Sequence, residues 1–243
     1  MGERRDDPRH AAAAGGALAA GQDLDHQPGP RVRTKKRARD RLIRWAAAHP
    51  DWLLAFEDEV WWSRLAPPAL HAWADGDRPL RLVEQAVAKD DPDKQALACS
   101  GLLLPELGEV WLRFLDGRPV SAVTTVVLEW CCQDAAARGK TALLLVWDNA
   151  SWHLSQEVRG WMRAHNRQVK AAGQGVRLVV CQLPRPAGTR RPWLNPIEPK
   201  WVHTRRQVVE PDRLLPAGEL AARVCDALGS PYHEHIPIPE KVA

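Results

Sequence analysis

One short stretch of the chain constrains its fold more than any other. Six consecutive apolar residues, 142–147, are followed at once by Asp148 and Asn149. An apolar run without polar alternation is typical of a strand whose two faces are both covered by helices. The run is far too short to cross a bilayer. It therefore predicts the central strand of an α/β sheet, with a polar pair at the carboxyl end of that strand.

The flanking sequence supplies the other layers of such a sheet. Alternating or apolar runs predict four more strands, at 52–62, 97–104, 110–115 and 176–182, the middle two forming an antiparallel hairpin. Apolar residues at helical spacing, with Ser121 and Ser155 as expected caps, predict helices over 40–49, 121–139 and 155–173. Elements in this order predict an α/β fold, with one mixed sheet flanked by helices.

Two segments fall outside this pattern. Residues 1–40 combine Ala/Gly runs, prolines and a basic cluster, which predicts a disordered or linker-like N-terminal segment. Residues 63–96 are rich in turn-forming residues around a candidate strand at 80–87, which indicates an insertion. We therefore expect a single domain over 41–243, interrupted at about 63–96 and preceded by a basic segment.

Charge is segregated along the chain. Residues 31–44 hold eight basic and one acidic residue, residues 45–158 hold seventeen acidic and nine basic residues, and residues 159–213 hold twelve basic and three acidic residues. An acidic middle between basic flanks suits a protein that holds cations at its centre and a polyanion around it. Uneven surface charge without any such role is an equally good interpretation of composition alone.

Three acidic residues stand out by their positions. Asp58 interrupts the apolar face of the first strand, Asp148 ends the central strand, and Glu198 follows Asn195-Pro-Ile. If the two strands are neighbours, Asp58 and Asp148 converge, and a helix laid across that edge adds Glu198. Carboxylates that close stay ionised together only around a cation, and oxygen-only ligands favour Mg²⁺ or Mn²⁺. Two such ions could support in-line attack on a phosphodiester.

The same residues also allow structural interpretations. Asn195 to Glu198 fits a helix capping box, and Asp148-Asn149 fits a simple turn. Asp58 could instead pair with Arg64.

Three further residues remain open beside the three acids. Glu57 and Glu59 are rivals of Asp58 for the role on the first strand. His153 lies five residues after Asp148 and either approaches the site or serves packing.

Three motifs in order resemble a known family. They are 144–153 (LLVWDNASWH), 179–184 (VVCQLP) and 192–201 (PWLNPIEPKW), with 56–59 (FEDE) as a matching first element. Together they resemble the catalytic domain of bacterial insertion-sequence transposases related to the mariner superfamily. The resemblance covers roughly 41–243 and assigns Asp58, Asp148 and Glu198 as the three acids.

The resemblance implies a ribonuclease-H-like fold in which these three acids hold two Mg²⁺ (or Mn²⁺) ions. It also implies metal-dependent cleavage of double-stranded DNA at transposon ends, followed by 3′-hydroxyl strand transfer into target DNA. With no secretory or membrane segment in the sequence, we expect a cytoplasmic enzyme, associated with the nucleoid when bound to DNA. Transposition usually requires two catalytic domains, so a homodimer stays open.

Basic residues in the second half of the chain are the expected DNA contacts: Arg159, Arg163, Arg167, Lys170, Arg190, Arg191, Lys200, Arg205 and Arg206. An ordinary solvated basic face is the alternative for them. Residues 1–40 do not resemble the helix-turn-helix module that reads transposon ends. The alternatives are therefore an inactive or truncated DNA-binding remnant, and a structure-selective nuclease that cleaves without joining.

Overall fold

The computed structural model describes residues 30–65, 87–183, 195–209 and 213–238. Its five strands are β1 (Trp52–Ser63), β2 (Ala96–Leu104), β3 (Glu109–Leu115), β4 (Ala142–Trp147) and β5 (Arg177–Gln182). They form one sheet in the order β3-β2-β1-β4-β5. β3, β2 and β1 pair antiparallel, whereas β1, β4 and β5 pair parallel. The expected mixed sheet is confirmed.

Helices cover both faces of this sheet. They are α1 (Pro30–Ala47), α2 (Ser121–Ala137), α3 (Gln156–Ala172), α4 (Glu198–Val208) and α5 (Ala217–Leu228). One core cluster joins a sheet face to residues of α1, α4 and α5, and a second joins the opposite face to residues of α2 and α3. We refer to these as the α4 face and the α2 face. No helix in the described ranges is both long enough and apolar enough to span a membrane.

Alternation along β1 sends neighbouring side chains to opposite faces. Leu54, Phe56 and Val60 belong to the core of the α4 face, whereas Leu53 and Ala55 belong to that of the α2 face. The central strand β4 is buried at every position. A strand packed on both sides cannot place a polar residue along its length, so its polar residues come where it ends.

Two helix starts differ from their predictions. The first helix begins at Pro30 instead of residue 40, so the basic run 31–39, expected in an irregular segment, is helical. Val120 rather than Ser121 is the N-cap of α2, and no side chain caps that end. The cap on α3 is confirmed, because Ser155 Oγ accepts a hydrogen bond from the Val158 amide at 3.1 Å. Positions 1–29 and 80–86 lie outside the described residues.

Arg64 is a buried hub beside the insertion, with only 4% of its side chain exposed. Its guanidinium donates to both carboxylate oxygens of Asp91, at 2.9 and 3.0 Å, and to the Leu215 carbonyl at 2.6 Å. The alternative that Asp58 pairs with Arg64 is therefore wrong. Arg64 instead ties the end of β1 to the segment before β2 and to the segment before α5.

We expect Arg64→Met to lower the free energy of unfolding by about 1–3 kcal/mol, because it leaves the Leu215 carbonyl without its buried donor and removes the ion-pair partner of Asp91. The Arg64 guanidinium holds the pKa of Asp91 below 3.8. The stability that the Arg64–Asp91 ion pair contributes is present at neutral pH and is lost as the pH falls through the lowered pKa of Asp91.

Urea denaturation at pH 7 and at pH 3 measures this difference. Arg138→Met is the matched control, since its ion pair with Glu109 is exposed and contributes less than about 1 kcal/mol. If the two variants lose equal free energy of unfolding at pH 7, the stabilising role of Arg64 is contradicted.

Candidate active site

The parallel pairing of β1 with β4 brings two of the predicted acids to one place. Its register sets Phe56 beside Val146. Two residues further on, Asp58 and Asp148 arrive at the same level, at the end where β4 stops. Because Asp58 lies two residues beyond Phe56, which belongs to the α4-face core, Asp58 belongs to that face, whereas Asp148 lies in the turn that follows β4.

The third acid comes from α4, which lies across the same face. Glu198 is the first residue of this helix, and Trp201, one turn later, is buried in the α4-face core. Burial is the largest cause of the raised pKa of Asp58, and the charges of Glu59, Glu198 and Asp148 add to it. Burial and the Asp148 charge raise the pKa of Glu198. The charge of Asp148 thus acts on both Asp58 and Glu198, and the charge of Glu198 acts on Asp58.

Asp58 is the most enclosed of the three acids. Burial, together with the charges of Glu59, Glu198 and Asp148, raises its pKa to about 7, although a hydrogen bond from Trp201 opposes the shift. The indole Nε1 of Trp201 donates to Asp58 Oδ2 at 2.9 Å. This bond fixes one oxygen of the Asp58 carboxylate.

Trp201 reaches Asp58 because Gly101 makes room for it. Gly101 of β2 is the cross-strand partner of Asp58. A Cβ added at Gly101 would clash with the Trp201 ring, at Cη2 and, at 2.8 Å, at Cζ2. The other side of the indole region is closed by Trp62, which meets Trp201 edge to face with ring centroids 5.9 Å apart. Any side chain at position 101 must displace the indole that holds Asp58.

The capping-box interpretation of Asn195 is wrong. The N-cap of α4 is Ile197, and Glu198 is the first helical residue, not the third. Asn195 is buried, and its amide donates to the Glu57 carbonyl at 2.8 Å while its Oδ1 accepts from the Ile197 amide at 3.4 Å. Asn195 therefore fastens the start of α4 to β1, directly beside Asp58.

The turn after β4 is built around Asp148 and His153. Asp148 Oδ1 accepts from the Ala150 amide at 2.7 Å, as the turn interpretation predicts, and lies 2.9 Å from His153 Nδ1. The His153 ring stacks on Trp147 with centroids 4.1 Å apart. Its Nε2 lies 3.1 Å from Glu59 Oε1. His153 thus packs and contacts the site at once, so both interpretations of this residue hold.

Glu57 and Glu59, the rivals of Asp58, point to the α2 face. Their positions alternate with Asp58 along β1. Together with His153 they form a group whose potential metal-ligand atoms all lie within 4.8 Å of one another. Burial and the Glu59 charge raise the pKa of Glu57 well above its usual value. Burial lowers the pKa of His153, but the bonds to Asp148 and Glu59 and the charge of Glu57 outweigh this and raise it to about 10.

Sequence analysis missed this second cluster. The strand alternation that placed Asp58 on one face also placed Glu57 and Glu59 together on the other. The five-residue spacing from Asp148 to His153 does not predict that the imidazole contacts Glu59. The turn that brings His153 back to β1 is irregular and has no periodic sequence pattern.

The predicted DNA contacts that the structure describes lie on two helices and are all solvent-exposed: Arg159, Arg163, Arg167 and Lys170 on α3, and Lys200, Arg205 and Arg206 on α4. Arg205 also donates to the Trp61 carbonyl at 3.1 Å. Arg190 and Arg191 lie outside the described residues. Both helices start at the edge that carries the acids, so the exposed cations begin beside it.

We expect Gly101→Ala to destabilise the protein by about 1–3 kcal/mol, the usual cost of adding a methyl group to a packed interior. The indole Nε1–H resonance of Trp201 should shift, because the ring must leave Asp58. Thermal unfolding and a ¹⁵N-labelled tryptophan spectrum measure the two effects.

Gly160→Ala on α3, where an added Cβ meets no atom within 4 Å, is the matched control. An unmoved Trp201 resonance in Gly101→Ala would contradict the role of Gly101.

No protein-family model and no curated protein matches the chain. Solved structures do: the Mos1 transposase paired-end complex with a left transposon end is 16% identical, with a TM-score of 0.55 over 89% of this chain and 60% of that chain. The Mos1 strand transfer complex is 16% identical, with a TM-score of 0.54 over 82% of this chain and 52% of that one. A Mos1 mariner paired-end complex with Mn is 15% identical, with a TM-score of 0.54 over 88% of this chain and 60% of that one.

The chain thus spans about half to three fifths of the length of these transposase chains. At 15–16% identity the likeness concerns the fold alone. The expected ribonuclease-H-like fold is confirmed: a five-stranded mixed sheet flanked by helices.

Proposed function

We propose that this chain is the catalytic domain of a DNA transposase of the mariner-related insertion-sequence type. In this proposal it cleaves DNA strands with the help of bound metal ions and joins the freed 3′-hydroxyl to target DNA. What supports the proposal is the register of β1 with β4, which sets Asp58 level with Asp148, together with the charge of Asp148, which acts on both Asp58 and Glu198.

The chemistry of the acidic edge fits divalent metal ions. Three carboxylates supply only oxygen ligands, which Mg²⁺ and Mn²⁺ prefer. Repulsion between nearby carboxylates raises the free energy of ionising them unless a cation lies among them. Asp58, Asp148 and Glu198 would hold two ions, which when bound activate the attacking oxygen and stabilise the leaving oxygen. Crystallised Mos1 complexes carry Mn in one case and Mg in another.

The surrounding residues of the chain hold the acids in position. Trp201 fixes one oxygen of Asp58, and His153 fixes one oxygen of Asp148. Asn195 anchors the start of α4, and with it Glu198, to β1. A site that is already organised loses little free energy to reorganisation when its ligands bind.

DNA is the proposed partner, and the exposed cations of α3 and α4 are its proposed phosphate contacts. α3 leaves the acidic edge at its start and returns along the sheet to the beginning of β5, so Arg159 lies nearest the edge and Lys170 farthest from it. The likeness in fold includes complexes with transposon-end DNA. Further parts of the proposal are a second copy of the chain as partner, and the division into a basic segment 1–40 and a catalytic domain 41–243.

We expect Asp148→Ala to abolish Mg²⁺-dependent nicking of supercoiled plasmid DNA. Loss of a metal ligand should lower the rate by more than about a hundredfold, because outer-shell partners alone are worth roughly 10–100-fold. Gel assays of nicked and linear products, with and without chelator, measure this. Glu106→Gln, an exposed acid in the β2–β3 turn, is the matched control.

Nicking that persists in Asp148→Ala would contradict the assignment of this acid. Nicking without joining of an oligonucleotide 3′ end would favour the structure-selective nuclease. Absence of both activities, with DNA binding retained, would favour the inactive remnant.

We expect Arg159→Ala to weaken DNA binding and to reduce the slope of log K against log salt concentration by about 1, the effect of losing one phosphate contact. Lys170→Ala should have a smaller effect. Fluorescence anisotropy with a labelled duplex at several salt concentrations measures both. Lys140→Ala is the matched control, because this half-exposed cation precedes β4 at the opposite end of the sheet, where its ammonium donates to the Pro50 carbonyl. Equal slopes for Arg159→Ala and Lys140→Ala would contradict the proposed interface.

A further inference from the structure

We propose that Glu57, Glu59 and His153 form a separate structural site for a transition-metal ion, with Zn²⁺ as the preferred occupant. The site lies on the α2 face of β1, opposite the face that carries Asp58. It does not rest on the nuclease activity, since metal binding here requires no chemistry on DNA.

One carboxylate oxygen of Glu57 is buried without a hydrogen-bond donor in the described part of the chain. Glu57 is 4% exposed, and its Oε1 accepts a hydrogen bond from Ser100 at 2.9 Å. Among the residues that the structure describes, none hydrogen-bonds Glu57 Oε2. This oxygen points toward His153 Nε2, 3.5 Å away. A buried carboxylate oxygen without a hydrogen-bond donor is costly unless a positive charge faces it, so this oxygen needs either a protonated His153 or a metal ion shared with a neutral His153.

The potential ligand atoms of Glu57, Glu59 and His153 lie close together. His153 Nε2 lies 3.1 Å from Glu59 Oε1 and 3.5 Å from Glu57 Oε2. Ligands about 2.1 Å from one zinc ion, at the angles of octahedral to tetrahedral geometry, lie about 3.0–3.4 Å apart. Two of the three donor separations are therefore close to those of ligands that share an ion, and all three lie within 4.8 Å.

Further side chains orient the potential ligands His153 and Glu59. Metal-bound histidines usually donate their other ring nitrogen to a carboxylate, which fixes the tautomer and the ring plane. His153 Nδ1 meets Asp148 Oδ1 at 2.9 Å, and the ring is held flat against Trp147. Trp152 Nε1 donates to Glu59 Oε1 at 2.6 Å, so this carboxylate is also oriented.

The donor set selects among metals. One imidazole nitrogen with two carboxylates suits Zn²⁺, whereas Mg²⁺ prefers oxygen ligands and keeps several waters. A cavity of only about 10 Å³, room for about one water molecule, adjoins Glu57 and Glu59 and is otherwise lined mostly by apolar side chains of the α2 face. This space cannot hold the several waters that Mg²⁺ keeps.

The ion would join β1 to the turn that follows β4. Because His153 also contacts Asp148, the same ion would steady one acid of the proposed active site. A proton shared by His153 and the two glutamates is the competing occupant, and the experiment must distinguish the two.

Zinc retention in the full chain tests the proposal. Asp58→Asn serves as the background, because it removes an acid of the other face and leaves the cluster intact. After dialysis against chelator, one equivalent of Zn²⁺ and desalting, we expect about one zinc per chain by atomic emission. Zinc at a hundredfold excess over its Kd should raise Tm by about 5–10 °C, and Mg²⁺ should not.

Adding Glu57→Gln to this background should weaken zinc binding at least about a hundredfold, since a ligand is lost. Glu59→Gln is the second variant if the first does not fold, and circular dichroism checks both. Co²⁺ should give a four-coordinate visible spectrum that the Gln variants lack. Zinc-free protein after desalting, or equal binding with and without Glu57→Gln, would overturn the site in favour of the proton. Loss of zinc in Asp58→Asn itself would overturn its separateness.

Discussion

The parallel pairing of β1 with β4 is the constraint on which the rest of the site depends. Its register fixes Asp58 at the level of Asp148, because Phe56 and Val146 are partners two residues earlier. β4 is apolar throughout and buried on both faces, so the chain can introduce charge only where the strand stops. A shift of one residue would carry Asp58 to the other face and separate it from Asp148.

Much of this architecture follows from patterns within single segments. Apolar runs and alternation placed the strands, and the Ser155 cap marked the start of α3, because each depends on residues that are close in sequence. The features that sequence analysis misjudged depend on distant partners. Asn195 bonds the Glu57 carbonyl, 138 residues away, and Arg64 bonds the Leu215 carbonyl, 151 residues away. A local capping pattern cannot reveal that such a partner competes for the same side chain.

The three acids of the proposed active site could be anticipated because each carries a local signal: an acid within an apolar face, an acid at a strand end, and an acid after Asn-Pro-Ile. Their supports could not. Trp201 reaches Asp58 only because Gly101, on another strand, lacks a side chain. His153 reaches Glu59 only because an irregular turn folds it back over Trp147. Such supports arise from packing between elements, which no periodicity encodes.

Glu57, Asp58 and Glu59 are consecutive acids on one strand, and the free-energy cost of ionising each depends on charges on both faces of the sheet. Glu57 and Glu59 lie on one face and Asp58 on the other, yet the charge of Asp58 raises the pKa of Glu57, and that of Glu59 raises the pKa of Asp58. A cation on either face therefore lowers the free-energy cost of charge on both. His153, in contact with Glu59 on one side and Asp148 on the other, links the two groups of acids directly. The charges on the two faces of this sheet edge therefore affect one another and titrate together.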